Sequence, residues 1–251
     1  MDNKAATLVE HLAELRKRII WVLAVLVLAM IGGFFVAGPL IQYLQQSGQA
    51  AQVSLHTFSP WDPIRVYMQF AFSIGLAVTI PFALFQAWLF VKPGLTPTEQ
   101  RVTLRYIPGA VFLFFAGFAF GYRVVFPMAF YFATTVTRSL QLTETYGISQ
   151  YFSFMFNIVI PMSLLFELPI VVMFLTRLRI LNPSRLRKLR RYAYLLLVVL
   201  ATLVTPPDMV SDILVAIPLI LLYELSVILS GRVYRRLIER DRQREAEFGD
   251  A

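Results

Sequence analysis

The chain has no cysteine and only two histidines, His11 and His56, so disulfides, zinc ribbons, iron–sulfur centres and histidine-rich metal clusters are all excluded. No metal and no cofactor is expected. Charge is scarce as well: 15% of the 251 residues are Asp, Glu, Lys or Arg, against 58% that are hydrophobic. The sequence also lacks a Walker loop, an HExxH pair, a GxSxG elbow and the Ser/Lys or paired-aspartate arrangement of a membrane protease. The chain is therefore expected not to be an enzyme.

What it has instead is apolar surface in long unbroken runs. With a mean hydropathy of +0.66 it carries more than one soluble domain of this size could hide, so lipid must cover part of it. Lipid admits only helices and closed barrels, because each backbone polar group must find its partner within the protein. The runs are continuous rather than alternating, which selects helices. The pattern predicts an all-α integral membrane protein, a single polytopic domain over residues 1–251. Its six transmembrane helices fall at about Ile19–Val36, Ile64–Phe90, Tyr106–Val125, Phe152–Phe174, Tyr192–Val204 and Ile213–Leu229. The first run follows basic residues, as a secretory signal does, but it outruns an h-region and no clear cleavage site follows it. It reads as a retained span.

Orientation follows from the basic residues behind the net charge of +8. One set of loops holds Lys4, Arg16, Lys17 and Arg18, then Lys92, Arg101 and Arg105, then the basic run from Arg177 to Arg191, then Arg232 to Arg244. The opposite set holds only Arg65, Arg123 and Arg138. Basic loops stay in the cytoplasm, so both termini are expected there, and the positive charge needs no nucleic acid to explain it. The external loops from about Gly38 to Pro63 and from about Phe126 to Tyr151 are expected to fold as caps. The last two helices read as short: the thirteen residues Tyr192–Val204 and seventeen of Ile213–Leu229 rise ~20 and ~25 Å against a hydrocarbon core of ~30 Å. Pro206 and Pro207 enforce the turn between them, and Asp208 is placed to cap the last helix. The charged tail 239–251 is expected to be disordered.

A few polar residues stand out. Glu167, inside the fourth span, must be protonated, paired or facing a wet cavity. It is either a neutral acid bonded to a neighbouring helix, with Pro169 freeing a carbonyl nearby, or the polar floor of a concave site. Gln86 and Glu224 are weaker instances. Leu8, Leu12, Leu15 and Ile19 mark an amphipathic helix over about residues 7–18 on the cytoplasmic face, with Thr7 and Glu10 as a capping box. On its polar side Glu14 precedes Arg18 by four residues, a favourable ion-pair spacing. In Thr96-Pro97-Thr98-Glu99, Thr96 suits an N-cap, Pro97 the first helical turn and Glu99 the capping-box acid. Capping and solvated ion pairing would account for both acids; alternatively, each could accept a guanidinium in bidentate fashion.

Several ordered motifs resemble the TatC family from about Leu8 to about Ile228. They are His11-Leu12-Ala13-Glu14-Leu15-Arg16-Lys17-Arg18, Trp88-Leu89-Phe90-Val91-Lys92-Pro93-Gly94-Leu95 leading to Glu99, and Thr205-Pro206-Pro207-Asp208. Val124-Val125-Phe126-Pro127, Phe166-Glu167-Leu168-Pro169, Ala216-Ile217-Pro218 and Tyr223-Glu224 support them. The resemblance implies a receptor in the bacterial cytoplasmic (inner) membrane for signal peptides bearing consecutive arginines. It would act in a self-associating complex with TatA-like and TatB-like single-span proteins to move folded precursors outward on the proton-motive force. It also implies that Glu14 and Glu99 bind the arginine pair, with Arg16 and Phe90 shaping the same surface, and that Glu167 lines a concave membrane-facing groove in which Gln86 is a second polar residue. Thr205, Asp208 and Asp212 would lie near the contact with partner helices, and Pro39 matches a family position in the first external loop. Gln100 and Asp212 depart from the commoner family residues. The competing reading is a small-solute transporter or channel lined by Glu167 and Gln86, although no inverted repeat is evident and intramembrane charges are too few for a relay.

Overall fold

The computed structural model describes residues 2–94, 96–204 and 209–249, and for some helical residues, Glu99 among them, the backbone alone. In chain order the helices are α1 (Asp2–Gln45), α2 (Asp62–Val91), α3 (Pro97–Leu104), α4 (Tyr106–Phe120), α5 (Phe126–Ser139), α6 (Ile148–Leu165), α7 (Leu168–Arg177), α8 (Pro183–Lys188), α9 (Arg190–Val204) and α10 (Met209–Gly249). Two-residue strands β1 (Leu55–His56) and β2 (Tyr146–Gly147) pair in parallel, a small exception to the all-α expectation. Five helical stretches among the described residues are long and apolar enough to cross a membrane: Leu12–Gln45, Asp62–Val91, Tyr106–Ser139, Ile148–Arg177 and Val215–Glu239. The remaining expected span is α9, at 15 residues.

Several boundaries differ from expectation, each for a local reason. The amphipathic segment is no separate helix: α1 runs unbroken for 44 residues. The strong helix formers Lys4, Ala5 and Ala6 precede Thr7, so the expected capping box is interior. Pro39, expected in a loop, also lies within α1. A membrane helix tolerates the one missing N–H where neighbouring groups compensate. The second external loop is mostly α5, reached from α4 through a π-helical turn over Gly121–Val125. Pro127 cannot bond back to the Arg123 carbonyl, and widening the preceding turn, with the Phe126 amide on the Gly121 carbonyl, accommodates its ring. The last helix is not short, since α10 has 41 residues and absorbs the charged tail through Gly249. That tail is built of Arg, Glu, Gln and Ala, good helix formers, with opposite charges such as Arg235 and Glu239 four apart. Disorder of the tail is therefore not what the structure shows. The Thr205–Asp208 turn lies outside the described residues.

The helices group into two compact units. The first comprises Met1–Val111 and Thr137–Asn157. Its main seam is the antiparallel packing of α1 on α2, where small residues allow the backbones to come close. A Cβ on Gly33 would stand 3.0 Å from the Ala71 carbonyl oxygen, one on Gly38 2.9 Å from the Tyr67 hydroxyl, and one on Gly75 2.7 Å from Met30 Cγ. Ala37 and Ala71 are buried in line with them. Along α2, Phe70 packs edge-on against Phe152 and Phe156 of α6, with ring centroids 5.0 and 4.9 Å away. Gln69 donates to Ser153 Oγ at 2.6 Å beside them. Asp62 starts α2 with a buried carboxylate whose Oδ2 accepts the Phe58 and Ser59 amides, both at 3.0 Å.

The second unit comprises Phe112–Val136 and Ile158–Ala251. Gly117 and Gly121, one turn apart, let α4 approach α6: a Cβ on Gly117 would sit 2.7 Å from Phe166 Cβ and 3.0 Å from the Met162 carbonyl oxygen, and one on Gly121 3.1 Å from Val159 Cα. Backbone and branch-point atoms cannot yield as a flexible side-chain end can. Gly117→Ala is therefore expected to destabilise the detergent-solubilised protein by about 1–3 kcal/mol, the usual range for overpacking. An unchanged thermal midpoint would contradict this seam. Thr176 of α7 is buried against α10, its Oγ1 2.7 Å from Ser230 Oγ. Arg190 and Tyr194 of α9 both bond Glu224 of α10, the former at 2.7 Å, so this acid is a structural tie between two helices. Tyr223 donates to the Leu186 carbonyl at 2.9 Å.

Large apolar side chains remain exposed on these units: Phe35 at 79%, Phe112 at 73% and Leu203 at 76%. Exposure of this kind along helices of such length is the surface of a protein solvated by lipid.

Candidate functional site

Within the first unit Glu14, Arg16, Gln86 and Phe90 stand at one end of the α1–α2 pair, with Pro39 toward the other. Gly38 meets Tyr67 and Gly33 meets Ala71, and continuing down α1 and up α2 brings Arg18 to Gln86. Arg18 donates Nη1 to Gln86 Oε1 at 3.2 Å, and its Nε and Nη2 both bond Glu14 Oε1, the former at 3.2 Å. The expected spacing of Glu14 and Arg18 thus becomes an ion pair, and α2 fixes its far side. Among the described residues no partner bonds the other carboxylate oxygen, Oε2, so Glu14 keeps acceptor capacity for a second guanidinium. Arg16, two residues on, is exposed.

Glu99 reaches the same end of α2 by another route. Pro97 opens α3, and the Gln100 amide donates to the Thr96 carbonyl at 2.9 Å, as the sequence led one to expect for a helix start there. α3 is bolted to α2 by a buried bond from Trp88 Nε1 to Thr103 Oγ1 at 2.9 Å. The Gln100 side chain adds a bond from Nε2 to the Lys92 carbonyl at 3.1 Å, across the tight 3₁₀ turn Lys92–Gly94. Gln100, notable in the sequence for what it replaces, thereby has a positive role in holding this turn. The Lys92 ammonium lies 5.4 Å from the centre of the Trp88 ring, a cation–π arrangement. Phe90 is half-buried at the end of α2. The backbone of Glu99 stands in the first turn of α3, while its side chain lies outside the described residues.

Gln86, which the resemblance sets with Glu167 in a groove, accepts a bond from Arg18. That contact joins residues 68 apart and has no local signature. The anchoring pair Trp88–Thr103 was equally invisible, although a lone Trp next to a polar helix start is a hint that its N–H needs a partner.

Glu167 belongs to the second unit and occupies the turn between α6 and α7. Pro169 provides no amide for the Leu165 carbonyl, and the ladder tightens, with the Glu167 amide on the Leu164 carbonyl at 3.1 Å. The side chain is 7% exposed, and neither carboxyl oxygen has a hydrogen-bond partner among the described residues. Among the described residues the bond to a neighbouring helix entertained from sequence is thus not made. Asp212 stands in the first turn of α10, where a negative charge meets the positive helix terminus. Thr205, Pro206, Pro207 and Asp208 lie outside the described residues.

The family model described as Sec-independent protein translocase protein (TatC) matches residues 10–218. The chain belongs to the TatC family. The Sec-independent protein translocase protein TatCy of Bacillus subtilis (strain 168) is 46% identical to it over 236 residues, covering 94% of this chain and 93% of the relative. The TatC protein of Halalkalibacterium halodurans is 43% identical over 248 residues, covering 99% and 98%. Among solved structures, the twin-arginine translocase receptor TatC in DDM is 30% identical with a TM-score of 0.77, over 88% of this chain and 99% of that one. This TatC-family chain is accordingly a multi-pass membrane subunit of a protein translocase, not an enzyme.

Proposed function

We propose that this protein is the signal-peptide receptor of a bacterial twin-arginine translocase, holding the peptide's consecutive arginines through Glu14 and Glu99 at the cytoplasmic face. One observation carries the reading. Glu14, through Arg18 and Gln86, and the helix bearing Glu99, through Trp88 and Thr103, are clamped independently to the last turns of α2. Two acids on rigid supports suit two adjacent guanidinium groups, whose planar forks match carboxylates in a way that an ammonium does not. Arg16 and Phe90 border that surface.

The chain then crosses the cytoplasmic membrane six times with both termini inside. The distribution of basic residues supports this, as do the leucines that α9 leaves exposed, among them Leu195 at 64% and Leu203 at 76%. Single-span partners of the TatA and TatB type complete the complex, meeting this chain near Thr205, Asp208 and Asp212. Glu167 serves contact with a partner helix or with the apolar part of the peptide, and transport runs on the proton-motive force.

The direct test is binding of a twin-arginine signal peptide to the purified chain in lipid nanodiscs, against the same peptide with two lysines. The arginine peptide is expected to bind about tenfold tighter or more, one charge-assisted bond's worth. Equal affinity for the two would overturn the reading.

A further inference from the structure

Within the first unit, one face of the α1–α2 pair carries an apolar groove that ends at a charge. Gly33 brings α1 against the Ala71 backbone, and beside that contact the small Ala71 side chain leaves a cleft of about 320 Å³ open along the seam. Val27, Ile31, Phe34 and Phe35 of α1 and Met68 and Ala71 of α2 line it, and among the described residues no polar surface does. The α2 wall continues toward the start of the helix. Arg65 precedes Met68 by three residues, Ile64 by four and Trp61 by seven, spacings that keep one helix face. All three are exposed, Trp61 at 69%. The Arg65 guanidinium has no partner among the described residues, whereas Arg138 is paired with Glu144. Residues 38–61 contain no Asp or Glu, and Asp62 is buried with its Oδ2 on the Phe58 and Ser59 amides.

We infer that this groove holds an acyl chain of a phospholipid whose phosphate is bound by Arg65. The depth of the two features fits one lipid. From Arg65 to Gln86, α2 rises ~32 Å, about one hydrocarbon core of ~30 Å, and Gln86 is level with the ion pair of Arg18 and Glu14. Charged side chains thus stand at both headgroup levels, and the groove begins one turn below Arg65, where the first acyl carbons of a lipid run. The chemistry follows the same order. A guanidinium matches phosphate oxygens, the Trp61 ring and N–H suit the glycerol level, and the walls between Phe35 and Val27 gain from hydrocarbon alone. An apolar groove by itself would take any apolar chain; the charge at its mouth selects one attached to a phosphate. A second copy docked by this face is disfavoured, because an axis along the membrane normal would set its Arg65 at the same level, like charge against like.

The test is native mass spectrometry of the full purified chain in micelles doped equally with phosphatidylglycerol and with a diacylglycerol of the same acyl chains, which lacks the phosphate. Wild type is expected to retain the phospholipid about tenfold over the diacylglycerol, one charge-assisted bond's worth. Arg65→Gln should erase that preference, while Arg123→Gln, which removes an exposed arginine of the second unit, should leave it intact. Val27→Trp fills the groove and should cut retention of both lipids severalfold. Leu28→Trp, at a position 68% exposed that does not line the groove, should not. Equal retention of the two lipids by wild type, an unaltered preference in Arg65→Gln, or equal losses in Val27→Trp and Leu28→Trp would overturn the assignment. Displacement of the phospholipid by millimolar inorganic phosphate would reassign Arg65 to a soluble anion, and a lipid-free wild-type dimer that Val27→Trp dissociates would give the groove to a second copy.

Discussion

Exchanging Glu14 or Glu99 for alanine is expected to abolish site-specific crosslinking of a twin-arginine precursor while the protein remains in the membrane in normal amount. Each acid would lose charge-assisted bonds worth about 1.5–3 kcal/mol, which is roughly ten- to a hundred-and-fifty-fold in affinity per acid. The geometry at Glu14 refines the expectation. Arg18 occupies Oε1 but not Oε2, so an incoming guanidinium can bind without evicting it, and the resident pair keeps the carboxylate oriented. Gln86→Ala should then weaken crosslinking less than Glu14→Ala, because Gln86 acts only through Arg18. Glu14→Gln and Glu99→Gln, which preserve shape and remove charge, should behave as the alanine variants do. Undiminished crosslinking in both alanine variants would remove the assignment of these two acids.

Much of this site was legible because its signals are local. Glu14 and Arg18 meet because residues four apart share a helix face, and Thr96-Pro97 starts α3 because that pair suits the first turn and little else. Hydropathy alone located α2 to within two residues at its start and one at its end. The rest depends on register between distant helices. Gln86 comes to Arg18 only because glycines at 33, 38 and 75 fix how closely, and at what offset, α1 and α2 pack. The spacing Gly117-x-x-x-Gly121 is itself a packing signal that composition and hydropathy pass over. Boundaries failed where apolarity and helicity part company. α10 continues as helix after its apolar stretch ends, and α5 is helical although its sequence is mixed, so hydropathy marks where lipid is and not where the helix stops.

Replacing Glu167 by leucine is expected to stabilise the protein while impairing transport. A buried carboxyl with both oxygens unpartnered among the described residues carries a desolvation penalty of about 1–3 kcal/mol, and an apolar side chain of similar volume removes it. The thermal midpoint of the purified protein should therefore rise with Glu167→Leu but not with Glu167→Gln, which leaves an unpaired polar group in the same place. Translocation of a twin-arginine precursor into inverted membrane vesicles should fall in both. The opposite pattern, a clear loss of stability in Glu167→Leu, would mean that the acid holds the fold through a bond and would withdraw it from function. The distinction has weight because Pro169 already breaks the ladder at this turn. A chain selected for stability alone would have no reason to keep an unsatisfied acid there; one that must meet a polar group arriving from another molecule would.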